Sequence, residues 1–491
     1  MPMLKMLVPF AIGIVLAEHW HLPMAFLVVF ILVSALVTLL LQRSLSFILL
    51  FGAVGFAVSQ YHTQRTLLPD RLQTAYLAEV DFDSAKRQRG YTAESRLVGW
   101  RDPMDGRWHR TEGRLLLRTD STLLLQGGEQ LLFEGRIYRF RSGSDSYRRL
   151  MQRRGYLGSC YLNERNLLQR EMRHKPSLHL ATARVMKQRC KTENEVSAVV
   201  RAMCVGDRSG LGTQLRGSYA RSGMSHLLAV SGLHTGIVFG LINLLFLWLP
   251  LVWWRGHILQ YLLVIPFLWL YVAAVGFPPS AVRAAVMCTM LQGALATSST
   301  YNAMNAWSLA GVVMLFWNPR WLGDISFQLS FLAVAAILLW GVPLCRWCRT
   351  RSRLLNTLLH AMLIGLTASL ATAPLVSYAF GLIPIVGLIL NPVVVFLGTV
   401  VVAGGILALL LPPLAEWLLV PSMWAAEGLN CLAAWAAAPA SGAVSITLSG
   451  SWVVVIYLVA LLFTLVGWCF ERKKSVHLSY DDPRSLFKPL S

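Results

Sequence analysis

The chain has 491 residues, of which 55% are hydrophobic and only 14% are charged, and its mean hydropathy is +0.54. This composition excludes an ordinary soluble globular protein, and the many apolar runs of about 20 residues indicate an integral membrane protein. The formal net charge of +20 favours an anionic partner or anionic lipid headgroups, without choosing between them.

Three apolar runs open the chain and predict an N-terminal membrane domain over residues 1–61, with segments at residues 4–19, 23–41 and 45–61. Lys5 and Arg43 fall on the same side of these segments. The positive-inside rule therefore places the N-terminus in the cytoplasm and the end of the third segment outside.

Residues 62–175 differ in kind and predict a small exterior β domain. Together with the stretch up to residue 190 they hold 25 Lys and Arg against 14 Asp and Glu. Alternation of apolar and polar residues predicts about five short strands, at Tyr76–Phe82, Tyr91–Arg101, Gly113–Thr119, Leu131–Phe140 and Gly155–Asn163. Such a set fits an OB-like barrel that binds nucleic acid, although strand count alone does not separate it from other small β folds.

Basic and aromatic residues alternate in two places of this domain, which is typical of proteins that bind single strands by phosphate contact and base stacking. The candidates are Tyr147, Arg148, Arg149, Arg153, Arg154 and Tyr156, with Trp100 and Trp108 as a second group. The alternative is a solvated basic helix whose tyrosines belong to the domain core. Cys160 and Cys190 can form a disulfide if this region lies outside the membrane.

Residues 176–224 are predicted to be amphipathic helices and a linker, ending in a glycine-rich turn at residues 206–212. The turn is not a phosphate-binding P-loop, because the chain contains no Gly-Lys pair. Asp207 and Arg208 are expected to cap neighbouring helix ends or to pair with each other.

Residues 225–470 predict a polytopic membrane domain with segments at 226–250, 258–276, 281–298, 302–318, 325–344, 354–379, 384–411, 413–438 and 451–470. The basic clusters in short loops all fall on one side, as does the basic tail at residues 471–491. The fold class is therefore an α-helical polytopic membrane protein of about twelve segments with an inserted OB-like domain and both termini in the cytoplasm.

Polar residues stand at the mouth of the segment that begins near residue 226. His226, Ser231 and His234 are costly in hydrocarbon unless they face a protein interior or a water-filled path. The alternative is a helix that packs closely on its neighbours through Gly232 and Gly236.

Four motifs carry a family resemblance: Gly-Asp-Arg-Ser-Gly-Leu, His-Leu-Leu-Ala-Val-Ser-Gly-Leu-His, Pro-Pro-Ser-Ala-Val-Arg-Ala and Phe-Gln-Leu-Ser-Phe-Leu-Ala-Val, at residues 206–211, 226–234, 278–284 and 327–334. They closely resemble the hallmarks of the ComEC competence family, the polytopic channel for DNA uptake. The resemblance implies an OB-like domain after the first membrane segments, single-stranded DNA as substrate, and a location in the bacterial inner membrane. It also implies two partners, a cytoplasmic helicase-like ATPase and an exterior DNA receptor.

The sequence departs from many members of that family, which carry a C-terminal metallo-β-lactamase-like domain. No His-x-His-x-Asp-His occurs, so a short form that relies on a separate nuclease is expected, with no metal or cofactor of its own. The residues expected to line the channel or contact DNA are Asp207, Arg208, His226, Ser231, His234, Arg283, Asp324 and Gln328. Two other functions stay open: an intramembrane hydrolase using Ser231 and His234, and a transporter of a smaller anion.

Overall fold

The computed structural model describes most of the chain, namely residues 3–20, 22–41, 44–64, 73–86, 90–120, 123–140, 151, 155–172, 177–348, 350–381, 383–438, 443–444 and 448–480. Its helices are α1 Leu4–His19, α2 Met24–Leu41, α3 Ser44–Gln64, α4 Leu178–Cys190, α5 Glu195–Val205, α6 Thr213–Arg221, α7 Gly232–Leu245, α8 Leu249–Val252, α9 Gly256–Ala274, α10 Pro279–Ala296, α11 Ala303–Trp317, α12 Ile325–Ala336, α13 Val342–Trp347, α14 Arg353–Phe380, α15 Ile385–Leu410, α16 Ala415–Ala436 and α17 Gly450–Tyr480.

A helix stands at each of the twelve predicted membrane segments. Six helical stretches of the described residues are long and apolar enough to cross a bilayer, at Leu45–His62, Gly232–Val252, Gly256–Ala274, Ile325–Trp347, Leu355–Phe380 and Leu390–Leu410. The protein is therefore a helical membrane protein. The count of twelve crossings and the orientation of the termini stay predictions.

The predicted β domain is a sheet of seven strands, β1 Gln73–Val80, β2 Ala85–Lys86, β3 Tyr91–Arg101, β4 Trp108–Thr119, β5 Glu129–Arg136, β6 Tyr156–Leu162 and β7 Leu167–Met172. The strand order is β6-β4-β3-β1-β5-β7, with β2 on β3, and only the β4–β6 pair is parallel. Alternate residues of β1 and β3 are buried and form one apolar core with β4, β5 and β6. This is the alternation that predicted the strands.

The sheet is not closed among the described residues, so the OB-like barrel is not confirmed. One isolated bridge links the chain just beyond β5 to β6, where Tyr138 and Ser159 exchange two hydrogen bonds of 2.9 Å. The sequence analysis missed β7, because five of its six residues are exposed and its Leu-Leu-Gln-Arg-Glu-Met sequence does not alternate. An edge strand gives a weak sequence signal of this kind.

The described helical part has two large apolar cores, and a small third cluster joins α1, α2 and α3. One large core is built by α4, α5, α6, α15 and α16, and the other by α1, α9, α10, α11 and α12. Helix α7 belongs to both, since Val238 is buried in the first core and Phe239 packs on the second, while Ile242 touches both. The polar start of α7 therefore lies where the two cores meet.

Helix α4 joins the β domain to the helical part. On one side Arg184 donates to Gly127 O at 2.7 Å, and the ring of His179 packs edge-on against Phe82 at 4.7 Å. On the other side Thr182 donates to Ala274 O at 2.8 Å, and His179 Nε2 lies 3.0 Å from Val205 O. The β domain is thereby fixed to the ends of α5 and α9.

This junction should loosen in acid. Burial lowers the pKa of His179 from the ordinary 6.5. His179 therefore binds a proton more readily when the β domain is undocked from the helical part than when it is docked. Docking then weakens as pH falls below about 6.5, by at most about 1.4 kcal/mol per pH unit. Amide hydrogen exchange in α4 should be faster at about pH 5.5 than at about pH 7.5.

The control is His179→Gln, whose amide still reaches Val205 O and does not titrate. Burial raises the pKa of the nearby Asp81 carboxyl, and this group changes docking in the opposite direction in both proteins. The histidine contribution is therefore the difference between the two pH profiles. Identical profiles would contradict the prediction.

Candidate functional site

Ser231 and His234 form a reciprocal cap at the start of α7. Ser231 Oγ accepts the backbone N–H of His234 at 3.3 Å, and His234 Nδ1 accepts the backbone N–H of Ser231 at 3.3 Å. This is a capping box with histidine as the third helical residue. The arrangement satisfies two backbone donors that are otherwise unpaired at a helix start.

The same bonds determine the proton position on His234. Because Nδ1 accepts a hydrogen bond, the neutral ring carries its proton on Nε2. His234 is fully buried, and Nε2 has no hydrogen-bond partner among the described residues. His226 is close enough to interact with it electrostatically. A buried donor without an acceptor is costly, typically about 1–3 kcal/mol, and needs a reason.

Arg283, one turn into α10, lies against the same helix start. Its guanidinium is buried beside Gly232, where a Cβ would stand 2.9 Å from Nη2, and Nη1 donates to Ser330 O of α12. Its Nε has no partner among the described residues, and Phe331 lies below the charge at 5.7 Å. Ser280 ties α10 to the segment before α7 by donating to Val230 O at 2.6 Å.

Of the two glycines in the alternative prediction, Gly232 lies closely against α10, where a Cβ would also stand 3.6 Å from Ala284 Cβ, whereas Gly236 packs on no neighbour. A Cβ at Gly232 would meet Arg283, whereas positions 236 and 240 have nothing within 4 Å. Leu233, Gly236 and Gly240 are exposed and follow one another along one face of the helix. This face of α7 is open.

Asp324 and Gln328 hold helix ends. Asp324 is the N-cap of α12 and accepts the backbone N–H groups of Ser326 at 2.6 Å and Phe327 at 3.2 Å. Gln328 donates to Leu322 O at 2.7 Å in the turn before α12. Both side chains form hydrogen bonds to nearby backbone groups, and these bonds explain the two polar residues without a ligand.

Asp207 does not pair with Arg208, as one of the predictions had it. Its partner is Arg201 of α5, with Nη1 and Oδ2 3.4 Å apart, and both side chains are buried. Ser209 also donates to Asp207 from its backbone and its hydroxyl. Arg208 is exposed and donates from Nε to Leu228 O at 3.0 Å, which connects the glycine-rich turn to the segment before α7.

Arg201 was missed by the sequence analysis. Nine of the eleven residues of α5 are buried, and Arg201 is the one basic residue in this apolar helix. That pattern is the available signal, because a cation in a buried helix requires a partner. A Cβ on Gly210 would lie 2.3 Å from Arg201 Nη2, so the turn folds directly over the guanidinium.

His226 lies in a single turn, Met224–His226, between α6 and α7. The neighbours Met224 and Leu227 are buried, while Ser225 and His226 are exposed. His226 Nδ1 is 3.1 Å from Gly223 O. The structure thus brings His226, Ser231, His234 and Arg283 together and leaves Asp324 and Gln328 in capping roles.

The aromatic candidates of the β domain separate into core and surface residues. Trp100 is 9% exposed and stacks on His109 at 5.0 Å, and Tyr156 is 6% exposed beside Phe140 and Met151. Neither presents a face for stacking on bases, so these two predictions are wrong. Trp108 is 51% exposed. It stands among exposed arginines, at Arg101, Arg107 and Arg110.

The remaining candidates of the β domain, Tyr147, Arg148, Arg149, Arg153 and Arg154, lie outside the described residues. Cys160 and Cys190 are both free thiols, one in the β-domain core and the other in the first helical core. The disulfide that the sequence allows is therefore not formed. Burial raises the pKa of both thiols to about 11, which makes them unreactive.

One group of side chains has the spacing of metal ligands. Asp102, Asp105 and His109 place their ligand atoms within 4.8 Å of one another at the β3–β4 turn. Both carboxylates already accept backbone N–H groups of this turn, from Met104 and Arg107. The two carboxylates therefore have a structural role, which is to stabilise the β3–β4 turn.

Ser231→Ala should cost about 0.5–2 kcal/mol of stability, the usual effect of losing an N-cap, and Ser231→Asn should restore most of it. If Ser231 only caps α7, then Ser231→Asn keeps full activity. A nucleophilic serine would lose all activity in both variants. Thermal unfolding of both variants, together with their activity, distinguishes the two roles.

The charge of the chain from residue 208 to residue 470 is strongly one-sided. Residues 208–470 contain ten arginines, no lysine and three acidic residues, Asp324, Glu416 and Glu427. Four of the ten arginines form the cluster at residues 346–353, which the positive-inside rule explains. The other six lie in the stretch 208–323, which has no acidic residue. Arginine without lysine suits bidentate contact with phosphate or carboxylate groups.

Comparison with known proteins agrees with these motifs. The family model described as Competence protein matches residues 203–471, which is more than half of the chain. The chain is similar to ComE operon protein 3 of Bacillus subtilis (strain 168), with 30% identity over 212 residues. The matched region is 43% of this chain and 26% of that protein. No solved structure matches the chain.

Proposed function

Since this chain belongs to the competence protein family, we propose that it conducts single-stranded DNA across the bacterial inner membrane into the cytoplasm during natural transformation. The observation that carries the proposal is the site at the start of α7, where buried Arg283 and two histidines meet in a helical domain nearly free of acidic residues. A polyanion needs such a path, because carboxylates along it would repel the strand.

The site is suited to weak contacts that let a DNA strand pass, rather than to tight binding of the strand. Conduction requires contacts strong enough to admit the strand and weak enough to release it. Arg283 is one buried cation, and the neutral ring of His234 contributes a hydrogen-bond donor without a second charge. The exposed Trp108 with Arg101, Arg107 and Arg110 on the β domain is proposed to receive the strand before it reaches the membrane domain.

We propose that other proteins supply the driving force, since this sequence holds no P-loop for nucleotide binding. We propose a cytoplasmic helicase-like ATPase as the motor, an exterior receptor that delivers DNA, and a separate nuclease that removes the second strand. The hydrolase alternative receives no support from the geometry. Ser231 Oγ accepts from the backbone of His234, and the ring nitrogen of His234 faces the backbone of Ser231.

The test is entry of labelled oligothymidylate into liposomes that contain the purified full-length chain. A single-strand-binding protein trapped in the lumen captures the strand and supplies the gradient. We expect the single strand to enter and a duplex of equal length to stay outside, while liposomes without the chain admit neither. Absence of entry into the protein-containing liposomes would refute the proposed channel. Equal entry of duplex would refute its specificity.

A further inference from the structure

We propose that the first turn of α7, together with His234 and Arg283, forms a binding subsite for one phosphodiester group. The inference rests on the proposed function and names the chemical group on which the channel acts. The proposed function depended on the overall positive charge, whereas the subsite assigns defined donor atoms to a single phosphate.

The first donor is His234. Its Nδ1 is used by the backbone of Ser231, so Nε2 carries the proton and has no acceptor among the described residues. The ring is fully buried at the helix start. A buried N–H with nothing to donate to is an energetic cost, which an anionic oxygen would remove.

The second donor is Arg283. Nη1 is used by Ser330 O, whereas Nε has no acceptor among the residues described. The guanidinium lies directly against Gly232, the first residue of α7, and a Cβ there would collide with Nη2. Glycine at this position therefore lets the cation reach the helix end. Two unpartnered buried donors thus stand at one helix N-terminus.

The helix itself supplies the third element. The backbone N–H groups of Gly232 and Leu233, the first two of α7, have no acceptor in the described part of the chain. Free N–H groups and the positive end of the helix dipole favour an anion here. The start of α10 lies alongside, since Ser280 bonds to Val230 O, and adds its own positive end.

Access to the subsite is along the open face of α7. Gly232 is half-buried and Leu233 is exposed, and the space around Gly236 is empty within 4 Å of a Cβ. His226 is exposed beside the same helix start. His234 Nε2 and Arg283 Nε are themselves buried, so a phosphate that comes from this face reaches them only when side chains at the helix start move aside.

The test compares two replacements of His234 in the full-length chain, reconstituted in phosphatidylcholine nanodiscs. Asn places its oxygen where Nδ1 lies and preserves the cap but removes the Nε2 donor. Gln places its amide near Nε2 and preserves the donor. A phosphate contact predicts that binding of oligothymidylate is at least about tenfold weaker in His234→Asn than in His234→Gln, whereas a purely capping role predicts the reverse order.

The readout is the rise in unfolding temperature with oligothymidylate, measured against its uncharged methylphosphonate analogue. Wild type should respond to the first oligomer alone, and Arg283→Gln should lose the response. Arg255→Gln should keep it, because Arg255 lies over Trp254 at the start of α9, away from the subsite. An equal response of wild type to both oligomers would overturn the subsite.

A further arm separates DNA from lipid as the source of the phosphodiester. If phosphatidylglycerol nanodiscs raise the unfolding temperature through His234 and Arg283 while oligothymidylate does not, a lipid headgroup is the ligand and the DNA assignment is wrong. Entry into liposomes is measured in parallel. If DNA enters normally and His234→Asn binds oligothymidylate as wild type does, the subsite alone is rejected. If DNA does not enter liposomes that contain wild type, the channel is rejected.

Discussion

Replacing Arg283 by alanine should reduce entry of single-stranded DNA about 10–100-fold, with the protein inserted at its normal level. The charged hydrogen bonds that a phosphate makes with a guanidinium contribute about 1.5–3 kcal/mol, and 1.4 kcal/mol corresponds to a factor of ten. In the proposed site this interaction would come from one guanidinium, which lies at the meeting point of α7, α10 and α12. The measurement is uptake of labelled DNA with quantified membrane protein.

Two variants separate charge from geometry at this position. Arg283→Lys keeps the cation but removes the Nε donor and the planar fork that reaches Ser330 O, so intermediate entry is expected. Arg255→Ala removes an exposed arginine of the same domain and should leave entry unchanged. Normal entry in Arg283→Ala would contradict the role of this residue.

Replacing Asp207 by alanine should cost about 3–5 kcal/mol of stability, since it leaves the buried Arg201 charge without its partner. The glycine-rich turn should then detach from α5, and with it Arg208, which holds the segment before α7 through Leu228 O. Thermal unfolding in detergent and protease sensitivity near residue 208 measure both effects.

The double variant Asp207→Leu with Arg201→Met separates the effect of an unpaired buried charge from the loss of the ion pair. Replacing a buried ion pair by apolar side chains of similar volume is often neutral or stabilising, so the double variant should be markedly more stable than Asp207→Ala. If instead the two proteins are equally unstable, then loss of the ion pair itself, rather than an unpaired buried charge, is responsible.

The sequence was sufficient to predict elements whose periodicity extends over many residues. The helix bounds of α10 and α14 lie within two residues of prediction, because runs of apolar residues in a membrane leave few alternatives. Strands β1 and β3 were predicted by alternation in the same way. The family was recognised from motifs that now lie at helix starts and at the turn over Arg201.

Side-chain partners were beyond the reach of the sequence. Asp207 was expected to pair with its neighbour Arg208, but burial decides such choices, and Arg201 becomes its partner only when α5 and the turn pack together. Trp100 and Trp108 look alike in a basic segment, yet one strand places the first inward and the next strand leaves the second in solvent. The sequence pattern does not show which side chains meet in the folded protein or which of them are buried.

The two apolar cores that share α7 determine how the membrane domain can open. Separating residues inside either core exposes tightly packed side chains, and this costs several kcal/mol per large residue. Between the cores, packing runs through α7, through α14 on α12 and α15, and through the contact of α4 with α9, so a motion of one core relative to the other would leave the inside of each core intact. Helix α7 begins with Gly232 and His234, so such a motion would change the surroundings of the donors that we propose for the phosphate.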